Sequence, residues 1–290
     1  MSNTQAADVP SGGDASKRQR ALVDTTVQLD QQKYPARRRR IQELLTPYVL
    51  KFSTSISLLE FKATIIQECI LIHNELRRSN SLFTQVRDRL LEKNHPQVKL
   101  RMHIFNNMVS VFPRGSAFET DAKEDRLLAE KARLALENII PELYQWFADE
   151  SVDVVLSDRI GCTRAEEAPQ KVRVAFETNL PRCRRGVNKN CRVEEAIRDR
   201  GNVGRAELAE MAVASEQLQK TIGLIDHVLA NANADLSWQQ CRGAGDFLIC
   251  LEGDGKATHA LSTNVREWEL LAKLFGMEFV RVDYPDDATH

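Results

Sequence analysis

Arg20-Ala21-Leu22-Val23-Asp24-Thr25-Thr26-Val27-Gln28-Leu29 carries the first structural signal in this chain. A short apolar run ends on a carboxylate and is followed by two hydroxyl residues. Such a run reads as a buried strand over 20–24 that delivers Asp24 to the edge of the fold. A strand end is rigid and partly open, so it holds a metal ligand at a fixed point. Alone the pattern is weak, because Asp also favours turns. Its weight depends on where the other carboxylates fall.

Downstream, Pro35 stands at the favoured first-turn position of a helix over 35–46, which carries Arg37-Arg38-Arg39-Arg40. Tyr48–Phe52 reads as a second short strand. Ser55 and Ser57 offer caps for a long helix over 56–78, with Glu60 in its first turn, where the helix dipole favours a carboxylate. Helices are expected over 81–93, 96–111 and 121–149, the last kinked or split at Pro141. The runs 151–157 and 171–176 are β-rich and predict a hairpin around 158–170. A basic stretch, Arg182 to Arg192, precedes a helix over about 204–231.

The C-terminal part reads as α/β. Ala244-Gly245-Asp246 opens an apolar helix over 247–251, and Gly253-Asp254-Gly255 turns the chain into a strand, His259–Ser262. Thr263-Asn264 start a helix, Arg266 to Phe275, which Gly276 closes, and a last strand covers 278–282. Strands and helices alternating with short connections argue for a parallel α/β sheet.

The 290 residues are 42% hydrophobic and 28% charged with a net charge of −1, an ordinary globular balance. There is no global basic field, so any nucleic-acid contact must come from local patches. The first 18 residues are Ser, Gly, Asp and Ala rich and read as a disordered tail. The N-terminus lacks a basic and an apolar leader region, and no apolar run approaches membrane-spanning length. These features predict a cytoplasmic protein with reduced thiols and no membrane partner. No phosphate-binding G-x-x-x-x-G-K-[ST] loop, G-x-S-x-G elbow or H-E-x-x-H helix occurs, which excludes the commonest NTPase, esterase and zinc-protease readings.

Four short motifs in order resemble a PIN-domain nuclease. Ala21-Leu22-Val23-Asp24-Thr25-Thr26-Val27 looks like that family's first strand, with the Asp as metal ligand. Ser55-Ile56-Ser57-Leu58-Leu59-Glu60-Phe61 resembles its second motif, and Gly245-Asp246-Phe247-Leu248-Ile249 its third. Leu261-Ser262-Thr263-Asn264 with Arg266-Glu267-Trp268 is similar to the fourth. Val265 stands where many members carry an Asp, which makes Glu267, two residues on, the fourth candidate acid. The resemblance covers roughly 20–80 and 240–283. It implies a PIN-like α/β domain over 19–80 and 240–290, interrupted by a mainly helical insertion over 81–239.

It further implies a Mg²⁺- or Mn²⁺-dependent endonuclease, acting on RNA before DNA. Asp24, Glu60, Asp246 and Glu267 are the expected metal ligands and catalytic carboxylates. Thr25, Thr263 and Asn264 would orient them. Independently of the family, carboxylates at the C-terminal ends of parallel strands lie where open α/β sheets bind ligands. Carboxylates held together repel one another and tolerate a shared cation, and hard oxygens select Mg²⁺ or Mn²⁺. The partner readings are nucleic acid, a protein on the helical insertion, and self-association into a homo-oligomer. A PIN-like module that binds without cleaving is the alternative.

Two basic stretches are candidate phosphate grips: Arg37, Arg38, Arg39 and Arg40, and Arg182, Arg184, Arg185 and Lys189. Cys162, Cys183 and Cys191 with a histidine would make a zinc site, but their spacing matches no common zinc pattern, and free thiols in a basic loop are the competing reading.

Overall fold

The computed structural model describes residues 19–33, 35–78, 82–92, 98–110, 122–149, 152–162, 169–173, 175–177, 191–200, 205–212, 215–232, 234 and 236–283. In chain order the elements are β1 (Arg20–Val23), α1 (Thr25–Lys33), α2 (Pro35–Leu45), β2 (Leu50–Thr54), α3 (Ser55–Phe61), a π-helical turn (Lys62–Ile66) and α4 (Gln67–Leu76). Next come α5 (Phe83–Leu90), α6 (Val98–Ser110), α7 (Ala122–Asp149), β3 (Val154–Leu156), β4 (Gln170–Val172) and β5 (Ala175–Glu177). The chain ends with α8 (Val193–Arg200), α9 (Arg205–Ala212), α10 (Glu216–Ala230), α11 (Trp238–Gly243), α12 (Gly245–Gly253), β6 (His259–Ser262), α13 (Val265–Leu274) and β7 (Glu278–Arg281).

The strands β3-β2-β1-β6-β7 form one parallel sheet in that order. β1 is the central strand, and Ala21, Leu22 and Val23 are fully buried. Side chains alternate across a strand. Accordingly Ala21 and Val23 pack with Val27 of α1, Ile41 and Leu45 of α2, and Leu261 on one face. Leu22 points the other way, into a larger cluster with Phe52, Ala260 and buried residues of α3, α12 and α13. A continuous apolar strand flanked by helices on both faces is the mark of an α/β sheet. The fold is therefore α/β, a parallel sheet flanked by helices with a large helical insertion, compatible with a PIN-like architecture. No helix among the described residues is long and apolar enough to cross a membrane.

The connections leave β1 in opposite directions. The chain goes from β1 to β2 on one side, and β6 and β7 fill the other. This makes the gap between β1 and β6 a topological switch point, with a crevice at the C-terminal ends of both strands.

Several expectations are corrected. A helix, α1, that the sequence reading did not include begins directly after Asp24, while the four arginines lie on α2 as expected. β2 runs two residues later than the sequence suggested. Thr54, not a serine, caps the next helix, and its hydroxyl accepts the Ser57 N–H. Glu60 is consequently the sixth residue of α3 and lies beyond its first turn. Pro141 does not split α7. The expected hairpin between 151–157 and 171–176 does not form. β3 joins the main sheet beside β2, and β4 pairs antiparallel with β5. The helix expected over 204–231 is two helices, because Ser215 restarts the chain as the N-cap of α10. The tail over 1–18 and the Asn94-His95-Pro96 junction lie outside the described residues.

The main sheet thus takes its edge strand, β3, from within the 81–239 segment. The small hairpin is docked by side chains of α4. The Asn74 amide donates to the Phe176 carbonyl at 3.0 Å and accepts the Phe176 N–H at 3.3 Å. The buried His73 ring stands edge-on to Phe176.

Candidate active site

β1 carries Asp24 to the switch-point crevice, and the Asp24 N–H still bonds the Leu261 carbonyl of β6 at 3.0 Å. The backbone under the carboxylate is therefore fixed by the sheet. Its Oδ2 accepts hydrogen bonds from Thr26 Oγ1 at 2.5 Å and from Ser262 Oγ at 2.6 Å. Ser262 ends β6, and its Oγ in turn accepts the Asn264 N–H at 2.9 Å. Thr26 Oγ1 faces the Thr263 N–H at 3.4 Å.

Glu60 reaches the same crevice from α3. Thr25 Oγ1 donates to Glu60 Oε2 at 2.8 Å. On its other side, Glu60 Oε1 lies so close to Gly245 that a Cβ there would overlap it. The glycine before Asp246 thus lets the start of α12 meet Glu60. Asp246, in the first turn of α12, accepts from Asn264 Nδ2 at 3.4 Å. The fully buried Trp268 indole has no hydrogen bond of good geometry, yet its N–H lies close enough to Asp246 to favour the charged carboxylate.

Electrostatics tie these groups together. Burial raises the Asp24 pKa, against the hydrogen bonds from Ser262 and Thr26. Burial and the nearby Asp24 charge push Glu60 up to about 7, against the Thr25 hydrogen bond and the charge of Arg242. Burial, then Asp24 and Glu60, hold Asp246 well above the usual carboxylate range. Each shift follows from desolvation plus like charges at short range. Buried Cys250, one helical turn beyond Asp246, keeps its proton for the same reasons.

No family model, curated protein or solved structure matches this chain.

The donor chemistry at the crevice suits a hard divalent cation, since buried Asp24 and half-buried Glu60 and Asp246 offer carboxylate oxygens whose mutual repulsion a cation would relieve. The spacing is a separate matter. Among the described residues no group of three or more His, Cys, Asp or Glu side chains is arranged as a ready-made metal site. The carboxylates instead rest on hydroxyls and an amide: Thr26, Ser262, Thr25 and Asn264.

Glu267 is the outlying acid. Its charge raises Asp246, so it lies near the set. Its Oε1, however, accepts from Ser215 Oγ at 2.9 Å. Ser215 is also the N-cap of α10, where the helix dipole favours a carboxylate. Glu267 is thus turned toward the insertion.

Of the expected hydroxyls, Thr25 serves Glu60, whereas Thr263 contributes its backbone N–H. Thr26 and Ser262, which hold Asp24, are additions that sequence reading passed over. Their signal was a hydroxyl next to each of two strand ends.

The basic candidates divide. Arg37 pairs with Asp30 at 3.0 Å and Arg40 approaches Glu43 at 3.6 Å, while Arg38 and Arg39 are exposed on α2. Arg182, Arg184, Arg185, Lys189 and Cys183 lie outside the described residues. Cys162 is buried and Cys191 exposed.

Proposed function

We propose that this protein is a metal-dependent phosphodiesterase that hydrolyses nucleic acid, RNA before DNA. The observation that carries the proposal is the gathering of buried Asp24 with half-buried Glu60 and Asp246 at the sheet's switch point, where they repel one another. Buried like charges are costly, and a fold keeps them together where a cation or a reaction uses them. The RNA preference rests on the resemblance to PIN-domain nucleases.

Asp24, Glu60 and Asp246 would hold Mg²⁺ or Mn²⁺. When bound, such an ion polarises a phosphoryl oxygen and acidifies a bound water. The chain's own part is to position. Ser262 and Thr26 lock one Asp24 oxygen, Thr25 locks one Glu60 oxygen, and Asn264 steers Asp246. Glu60, pushed up to about 7, gives up its proton around neutral pH, so ion uptake there would be coupled to proton release.

Cleavage of a labelled single-stranded RNA in Mn²⁺ tests the reading. Wild type is expected to cut, and Asp24→Asn and Asp246→Asn to lose the activity at least a hundredfold, on the order expected for removing a group that acts in the transition state. Equal cleavage by all three would assign the activity to a contaminant.

The non-cleaving alternative is favoured by one observation, the engagement of Glu267 by Ser215 where Val265 already removes an acid. Calorimetry separates the two. A catalytic site takes up Mn²⁺ saturably, and a broken one does not. A protein partner on the helical insertion and self-association complete the proposal; pull-down with the full chain addresses the first and its mass in solution the second.

A further inference from the structure

We propose that His73 is held as a buried imidazolium whose second proton fastens the β4–β5 hairpin to α4 and α7. The hairpin is then a proton-dependent latch, docked while the ring is charged and released as rising pH neutralises it.

His73 is fully buried, and Phe176 of β5 stands perpendicular to it with the ring centroids 5.0 Å apart. Its Nδ1 lies 2.9 Å from Asn74 Oδ1, and its Nε2 lies 3.2 Å from Glu137 Oε1. Both neighbours are acceptors. The Asn74 amide is oriented by the Phe176 backbone, whose carbonyl accepts from Nδ2 at 3.0 Å and whose N–H donates to Oδ1 at 3.3 Å. Turned over, the amide would set donor against donor and acceptor against acceptor. Oδ1 therefore faces Nδ1, which carries a proton.

Glu137 is kept as a carboxylate by two cations. Lys171 Nζ of β4 lies 2.7 Å from its Oε2, and Arg133, one turn earlier on α7, pairs with its Oε1. The Lys171 hydrogen bond, aided by His73 and Arg133 against the cost of burial, holds this carboxyl below its usual range. An ionised carboxylate donates nothing, so Nε2 carries a proton as well. A neutral ring would satisfy one contact and turn the other nitrogen's lone pair toward an oxygen, away from water.

The charges facing the ring act in both directions. From α7, Glu137 favours the imidazolium and Arg133, which also pairs with Glu130, opposes it. From β4, Lys171 opposes it; from β5 the ring meets uncharged Phe176. α5 and α6 meet α4 through Arg89 with Glu75 and Arg101 with Glu68, so each of those acids has an arginine beside it. Two cations thus compete with the ring for Glu137, which keeps its second proton removable.

The hairpin supplies half of what holds that proton. Phe176 orients Asn74, and Lys171 keeps Glu137 ionised. Undocking removes both and opens the ring to water. The docked form therefore binds the proton more tightly than the released form, and by linkage rising pH favours release. Little else holds the hairpin, since β4 and β5 are three residues each and pair only with one another.

Two measurements on the full chain test this. Long-range ¹⁵N–¹H correlation of the histidine rings at pH 6 is expected to show two protonated nitrogens on His73, assigned by its loss in His73→Gln. Hydrogen exchange at the Phe176 amide, corrected for the intrinsic rate, is then followed from pH 6 to 9, where histidine changes charge. Wild-type protection is expected to fall at least about tenfold, the effect of one linked proton over one pH unit. In His73→Gln and Glu137→Gln that fall should disappear.

A bare ring nitrogen on His73 at pH 6 overturns the proposal, as does a wild-type fall that persists in His73→Gln, or flat wild-type protection across the range. If His73→Gln does not fold, assignment through the neighbouring residues and the comparison with Glu137→Gln still decide.

Discussion

Replacing Glu60 by Gln should stabilise the ion-free protein, and only above a definite pH. Glu60 ordinarily titrates at 4.5, but in the fold it titrates at about 7, because it is buried beside Asp24. Between those values the unfolded chain has released its proton while the native chain still holds it. Native stability therefore falls as pH rises through this window and levels off above 7. At roughly 1.4 kcal/mol per pH unit the gap amounts to about 3 kcal/mol. Gln keeps the shape and has no proton to lose. At pH 4.5 the two proteins should be nearly equal, and at pH 8 the variant should lead by about 3 kcal/mol. Asp24 and Asp246, also raised, tilt the wild-type curve the same way. Asp158, Asp254, Glu130 and Glu137 are shifted down, so their stabilising effect is lost at lower pH, outside the window. Urea unfolding in chelator at pH 4.5, 6, 7 and 8 measures the difference. A gap independent of pH, or a variant weaker than wild type at pH 8, refutes the reasoning and places Glu60 away from the buried set.

Other substitutions probe the frame. Ser215→Ala removes the α10 cap and the donor to Glu267, and should cost about 1 kcal/mol in urea unfolding. Gly253→Ala would place a Cβ 2.8 Å from Leu22 Cδ2 beneath the central strand, and overpacking there should lower stability by about 1–3 kcal/mol with little change in the urea dependence. Asn74→Ala cuts both bonds to the Phe176 backbone, so amide hydrogen exchange over 175–177 should speed up while that of β1 does not change.

The elements read most closely from sequence are those whose cause is local. β6 falls on His259–Ser262 as expected, and α13 stops where Gly276 takes φ +67°. There the Gly276 N–H bonds Lys273 and the Met277 N–H bonds Ala272, a pattern glycine alone enters without strain. β1 was readable because a strand buried on both faces is apolar throughout. The capping box at Ser237–Gln240 was also present as a Ser-x-x-Gln signal, and it passed unread.

What could not be read depends on distant partners. A strand was expected within 151–157, and β3 forms there, but its neighbour β2 lies about a hundred residues earlier, so its place in the sheet shows only in the fold. A local pairing with 171–176 was the simplest guess, and long-range parallel pairing overrode it. α1 was hidden for the opposite reason. Thr25, Thr26 and Val27 are β-branched and weak helix formers, but Val27 is fully buried against β1 and tertiary packing decides.

The candidate site shows the same division. Its carboxylates could be named one by one, since Asp24 follows a strand end, Asp246 and Glu267 lie in first turns of helices, and Glu60 lies on the helix that follows β2. Their mutual burial, which lifts Glu60 to about 7, could not, because it arises only when β1, α3 and α12 meet. Gly245 shows how closely these elements meet: a Cβ at that position would overlap Glu60 Oε1 and force the carboxylate to shift. The charges could be named one by one, and the packing of α12 against Glu60 brings them close enough to repel one another.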